Sequence, residues 1–198
     1  MRSRREVIQH AAAFERLVRL YVKEDKPMSQ DMIKETHALL VRGSSAQDAG
    51  IISNKSFGGH YRSTDAFARA LQYTKPSMIP QAMAAFVRDL EEGVSLENAQ
   101  AGIDRFMLAA KFCDRFVNIH PFRDGNGRMC RLILNAVLIK YAGIVVVLGE
   151  KDDDRGEYLM IAQESTKVGG HGGQLGHMVL KRAGRTLRGL RSKLKGKT

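Results

Sequence analysis

The 198-residue sequence predicts an all-α fold, and three stretches carry that prediction. Across residues 6–23, Val7, Ala11, Phe14, Leu17, Val18 and Tyr21 recur at the spacing of one helical face. Residues 99–119 repeat the pattern through Ile103, Phe106, Ala110, Cys113 and Val117. Further apolar residues flank that stripe, so the helix is expected to be buried on more than one side. Residues 128–141 form another helix, stopped by Gly143.

The connecting elements follow from punctuation. Pro27 interrupts the first helix, and Ser29 is placed to cap a second that holds Met32, Ile33 and residues 36–41 and is closed by Gly43. Residues 43–60 are rich in glycine and serine and read as a long loop, of the kind that inside a compact domain is usually functional or mobile. Residues 66–73 lack a clear period and fit either a helix or a short hairpin. Pro76 and Pro80 bracket the start of a helix through Ala82, Met83, Phe86, Val87 and Leu90, expected to end near Gly93. A loop over residues 120–127 precedes the 128–141 helix, and residues 144–148 are a short β-branched run. Asp152, Asp153 and Asp154 could mark a metal, but adjacent side chains diverge, and capping a helix near 158–165 explains them better. Residues 169–176 form a glycine-rich turn.

Composition sets the outer limits. With 43% hydrophobic and 27% charged residues the chain is not a disordered one. No apolar run approaches the roughly 18 residues of a membrane span. The nearest, residues 136–148, is interrupted by Lys140 and Tyr141. The first twenty residues lack the apolar block of a signal peptide. Cys113 and Cys130 make neither a disulfide framework nor a zinc site, so the expected location is the cytoplasm. The net charge of +11 is concentrated: residues 181–197 carry eight Lys or Arg and no acid, and the remainder has 24 basic against 21 acidic residues. The expected organisation is therefore a nearly neutral domain over residues 1–180 and a basic helix or tail over 181–198. There Leu180, Ala183, Leu187, Leu190 and Leu194 share one helical face. The plain reading is a last helix that docks its leucines; contact with nucleic acid or an acidic membrane is the alternative.

The chemistry is concentrated in His120-Pro-Phe-Arg-Asp-Gly-Asn-Gly-Arg-Met-Cys-Arg131. Two glycines let the backbone turn sharply and expose its N–H groups, and the helix that opens there adds a positive dipole end. Together they make an anion-binding concavity. Arg128 and Arg131 lie three apart on the new helix and can reach one anion. Asn126 supplies a neutral amide inside the loop. Asp124 is the one acid beside this cluster, and a lone carboxylate facing phosphates usually holds Mg²⁺. His120 can take a proton from an incoming hydroxyl. Phosphate cradle, metal ligand and base describe phosphoryl or nucleotidyl transfer. An EF-hand is excluded, since its first and last positions would fall on Phe122 and Ile133; so is a P-loop, because no Lys-Ser or Lys-Thr follows the glycines.

The same twelve residues resemble in full the signature of Fic-domain proteins, H-[PX]-F-x-[DE]-G-N-G-R-x-x-R. Further likenesses extend across residues 6–180. Thr36-His37-Ala-Leu-Leu40 is similar to the family's histidine-leucine helix, and Gly59-His-Tyr-Arg62 to its G-x-Y-R entry to a flap hairpin. Tyr73, Pro76, Ile79-Pro80 and Met83 resemble the exit from that flap, and residues 155–162 resemble the later helix beginning R-x-x-Y.

The resemblance implies an all-α helical bundle with a small β-hairpin flap, and transfer of AMP from ATP to a Ser, Thr or Tyr hydroxyl of a protein with release of pyrophosphate. Carried over by position, it makes His120 the general base and Asp124 the ligand of Mg²⁺. The backbone around Gly125, Asn126 and Gly127 becomes the anion hole, and Arg128 and Arg131 hold the β- and γ-phosphates. Phe122 is expected to point into the core and pin the loop. Tyr158 becomes a candidate adenine neighbour, equally readable as a core tyrosine. Asn135, on the arginine side of the helix, is a candidate pocket-lining residue. The flap, near residues 62–75, would clamp an extended segment of a target protein by strand addition. Self-modification and a homodimer are further expectations. Transfer from another nucleotide or a phosphocholine carrier, or a binding module attached through the basic tail, are the alternatives. Family members are often restrained by a helix carrying [ST]-x-x-x-E-[GN], and this sequence has no such string; its nearest look-alike is Ser44 to Asp48. Glu6-Val7-x-x-His10 resembles the segment just downstream of that helix in the N-terminally inhibited class. The expectation is a chain that begins after its inhibitory helix, leaving room for a missing targeting segment, with a separate antitoxin chain as the competing explanation.

Overall fold

The computed structural model describes residues 4–42, 57–68, 71–99, 104–148, 156, 160–161 and 173–195. Helix α1 (Arg4–Val18) passes without a break into one π-helical turn, Arg19–Lys23, which the 3.6-residue period of the sequence does not reveal. Lys140 anchors this turn from across the bundle, with its ammonium 4.1 Å above the Tyr21 ring and 2.8 Å from Asp25. Helix α2 (Gln30–Leu40) starts as expected: the Ser29 hydroxyl accepts from the Met32 N–H at 3.1 Å. Its buried stripe is unusual for an amphipathic helix, because Thr36 and His37 lie fully buried among Met32, Ile33 and Leu40.

Two-residue strands β1 (Phe67–Ala68) and β2 (Leu71–Gln72) pair antiparallel, with Phe67 opposite Gln72 and Ala68 opposite Leu71. A 3₁₀ turn, Pro76–Met78, leads into α3 (Ile79–Ala99). This helix does not stop at Gly93, as expected, but runs past it. A Cβ at Gly93 would stand 3.1 Å from Leu108 Cδ1, so the glycine serves close approach to the next helix and not termination. That next helix, α4 (Arg105–Ile119), starts later than residue 99: the Asp104 carboxylate accepts from the N–H groups of Phe106 and Met107 and fixes the first turn. Ile103 lies outside the described residues.

Helix α4 is the central element. It packs against α3, α5 (Asn126–Ala142) and α6 (Gly173–Lys195), while α1 lies across α2 and α5. Edge-to-face contacts of Phe86 with Phe112 and Phe116, at 5.6 and 5.7 Å between centroids, fill the junction of α3 and α4. Phe122 extends this cluster under the loop between α4 and α5. Truncating one of these rings to alanine would cost about 3–5 kcal/mol.

The C-terminal helix departs from expectation. Leu175, Met178, Val179 and Ala183 are its buried residues, whereas Leu180, Leu187 and Leu194 are exposed. Among the described side chains, the predicted stripe and the buried arc coincide at Ala183. Contact with α4 is made where Gly176 lets Met107 lie against the backbone, a rotation that the leucine spacing does not encode. The basic segment begins inside this continuous helix. The triple aspartate, Tyr158, the Ser44 look-alike and most of the 155–162 helix lie outside the described residues; Gly156, Met160 and Ile161 are helical. No helix among the described residues is long and apolar enough to cross a membrane.

Candidate active site

The corner between α4 and α5 gathers His120, Asp124, Gly125, Asn126, Gly127, Arg128 and Arg131. Helix α4 ends at His120, whose backbone adopts the left-handed conformation (φ 50°, ψ 57°). Few non-glycine residues hold that geometry without support. Arg62 supplies it. Its Nε donates to the His120 carbonyl at 2.7 Å, and its backbone N–H donates to the Pro121 carbonyl at 2.9 Å. The His120 ring is fixed separately: Nδ1–H donates to the Val117 carbonyl at 3.2 Å, and Tyr73 stacks on one face with centroids 4.0 Å apart. A carbonyl only accepts, so the proton sits on Nδ1 and the Nε2 lone pair is left to take a proton. Burial, followed by the Arg62 charge, holds this imidazole below its ordinary pKa and favours the neutral form a base requires.

The loop beyond it is tied at both ends. Asn126, 3% exposed, closes it by accepting from the Phe122 N–H at 3.0 Å and donating to the Phe122 carbonyl at 2.7 Å. Its amide is therefore spent inside the loop. What Asn126 offers a ligand is backbone. Gly125 is left-handed (φ 81°), and a Cβ there would stand 2.9 Å from Val41 Cγ1 and 3.3 Å from His37 Nε2, so both conformation and space require glycine. The first backbone bond of α5 runs from the Met129 N–H to the Gly125 carbonyl. The N–H groups of Asn126, Gly127 and Arg128 thus precede any intrahelical acceptor, at the positive end of the helix.

Arg128 is ion-paired to Asp124, Nη2 to Oδ2, at 2.9 Å. The Arg131 guanidinium folds back over the first turn, with Nη1 3.9 Å from where a Cβ of Gly127 would stand. Both arginines therefore flank the open N–H groups. The Asp124 carboxylate is half exposed at the rim, and no cluster of three His, Cys, Asp or Glu able to hold a metal occurs among the described residues. A single carboxylate suits Mg²⁺ held jointly with substrate phosphates and does not suit an all-protein cage.

One predicted role changes. Asn135 donates to the carbonyls of Arg131 and Val146, both at 3.0 Å, and accepts from the Val146 N–H at 2.7 Å. It fastens the extended segment after α5, in which Ile144, Val146 and Leu148 are buried, so its amide is not free to line a pocket. Phe122 is buried as expected, but it also carries a partner the sequence did not single out as part of the site. His37 stacks on it nearly parallel, with centroids 3.7 Å apart, accepts from the Gly59 N–H at Nδ1 (3.0 Å) and donates from Nε2 to the Asp124 carbonyl (2.9 Å). In the sequence it was named for its place in the Thr36–Leu40 likeness, as a polar residue on an apolar helical stripe and without a role in the site. Arg62 was likewise named for its place in G-x-Y-R without a function.

The Fic/DOC family model matches residues 27–138, more than half of the chain, and spans the corner from His37 through Arg62 and His120 to Arg131. The chain belongs to the Fic/DOC family. A Fido domain-containing protein of Dictyostelium discoideum is 30% identical over 122 residues, 62% of this chain and 81% of that one. A uridine 5'-monophosphate transferase of Xanthomonas campestris is 27% identical over 127 residues (61% of this chain, 23% of that one). A protein adenylyltransferase, fic-1, of Caenorhabditis elegans is 29% identical over 149 residues (75% and 27%). The chain thus spans about a quarter of the length of the two transferases. The solved structure of residues 134–508 of C. elegans Fic-1 superposes with a TM-score of 0.80, covering 100% of this chain and 54% of that one at 24% identity, a likeness of fold.

Proposed function

We propose that this Fic-family chain is a protein adenylyltransferase, moving AMP from ATP to a hydroxyl of a protein. The observation that carries the reading is the free Nε2 of His120, held beside a cradle of open N–H groups and two arginines. Nε2 takes the proton of the target hydroxyl as its oxygen bonds to the α-phosphorus. The bond from that phosphorus to the bridging oxygen breaks, and pyrophosphate leaves. The first-turn N–H groups of α5 with Arg128 and Arg131 hold the phosphates and offset the charge that develops on the leaving oxygens. Asp124 would hold Mg²⁺, which when bound neutralises phosphate charge. The strands at Phe67–Ala68 and Leu71–Gln72 are the proposed seat of the target's extended segment; Phe67 is 61% exposed there.

A uridylyl donor is the second reading, favoured by the similarity to the Xanthomonas uridine 5'-monophosphate transferase. The phosphates would be held alike. Intact mass after incubation with ATP and Mg²⁺, beside His120→Ala, tests both. Added AMP in the parent alone supports the first reading. Addition from UTP but not ATP selects the second, and no addition from ATP, UTP, CTP or GTP counts against self-modification by this chain.

A further inference from the structure

Arg62 is 6% exposed and carries a charge that burial makes costly. Every bond the structure gives its side chain goes to a backbone carbonyl. Nε donates to His120 at 2.7 Å, Nη1 to Thr64 at 2.7 Å, and Nη2 to Thr74. Thr64 and Thr74 stand on either side of the hairpin, three residues before β1 and two after β2. One planar guanidinium therefore grips both ends of the hairpin and the carbonyl of the left-handed His120. Tyr73, which stacks on the His120 ring, belongs to the same unit, since its N–H donates to Ala66 at 3.0 Å.

We propose that Arg62 is a positioning residue that makes the target-docking hairpin and the general base one rigid body, so that a target segment paired with the hairpin is already aimed at His120 Nε2. The inference rests on the adenylyl-transfer reading of His120. Lysine preserves the charge but has no planar fork, and cannot bridge three carbonyls in one plane. Arg62 is far in role from the phosphates: the groups that hold them, on α5, are fixed by Asn126, Phe122 and His37.

The test is Arg62→Lys, with Arg62→Gln beside it, in the full chain. ATP affinity is followed by calorimetry, AMP self-transfer by intact mass over time, and the His120 ring by long-range ¹⁵N NMR. ATP affinity within twofold of the parent is expected in both variants. The self-transfer rate falls about a hundredfold, the scale of a misaligned reacting group. The His120 ring passes from a single Nδ1–H form to a mixture of tautomers. A transfer rate within threefold of the parent overturns the proposal. So does a fall in active ATP sites in proportion to the rate, which would mark a general folding defect. If the parent transfers no AMP to itself, self-modification fails separately, and an unchanged His120 tautomer in the variants still overturns the coupling while a mixed one upholds it.

Discussion

Two histidines bracket the same loop and are used in opposite ways. His37 approaches from α2 with both ring nitrogens engaged, one by the Gly59 N–H and one by the Asp124 carbonyl, and with a face covered by Phe122. His120 engages only Nδ1 and keeps Nε2 open. The ring chemistry is the same; what differs is the number of backbone partners each environment supplies. A saturated imidazole can only hold geometry, whereas one anchored at a single nitrogen can move a proton. Burial lowers the pKa of both, that of His37 to about 4.

Replacing the open ring should have the largest effect. His120→Ala is expected to lower AMP transfer by about 10²–10⁴-fold, the range for loss of a general base, while urea denaturation stays near the parent value. Because the His120 pKa lies below its ordinary 6.5, the parent's transfer rate should rise with pH and level off before neutrality. A rate still climbing above pH 7.5 would break the assignment.

The saturated ring should respond the other way round, in stability first. His37→Phe keeps the stack but strands the Gly59 N–H and the Asp124 carbonyl, at about 2–4 kcal/mol for two buried unpaired groups. Urea unfolding measures it. Protonation should act likewise. With a folded pKa near 4 against 6.5 unfolded, neutral His37 contributes stability that is complete above pH 6.5 and lost as pH falls toward 4. The contribution is at most about 3 kcal/mol. In His37→Gln the stability–pH curve between those limits should flatten.

Asn135→Ala sharpens the contrast from outside the loop. Its amide holds Val146, so about 1–2 kcal/mol of stability should be lost with ATP affinity within twofold of the parent. A tenfold loss of affinity would restore it to the pocket.

Much of this was legible beforehand. The motif from His120 to Arg131 is contiguous, so its chemistry can be read along one loop and one helix end. Helix existence followed from the 3.6-residue period, and the Ser29 cap from residue type. What the sequence withheld was three-dimensional. Gly93 looks like a stop because glycine often is one, and only the approach of Leu108 explains its place inside α3. The exposed leucines of α6 share one stripe, but which arc of a helix is buried depends on where α4 meets it. Asn135 lies on the arginine side of α5, yet its side chain reaches a segment eleven residues on. Arg62 and His37 act across 58 and 87 residues of sequence, and no local pattern announces such partners.

The Asn126–Phe122 bridge has a thermodynamic consequence for a nucleotide bound as proposed. A six-residue loop between two helices, closed on itself by two amide bonds and capped by a glycine turn, loses its conformational freedom when the chain folds. On the adenylyl-transfer reading, phosphates would meet a loop that is already ordered, and association would not have to order the backbone a second time. Calorimetric titration with a non-hydrolysable ATP analogue should accordingly show a small entropic penalty. In Asn126→Ala the same loop would have to be organised by the ligand, and the weakened binding should appear as a more unfavourable entropy.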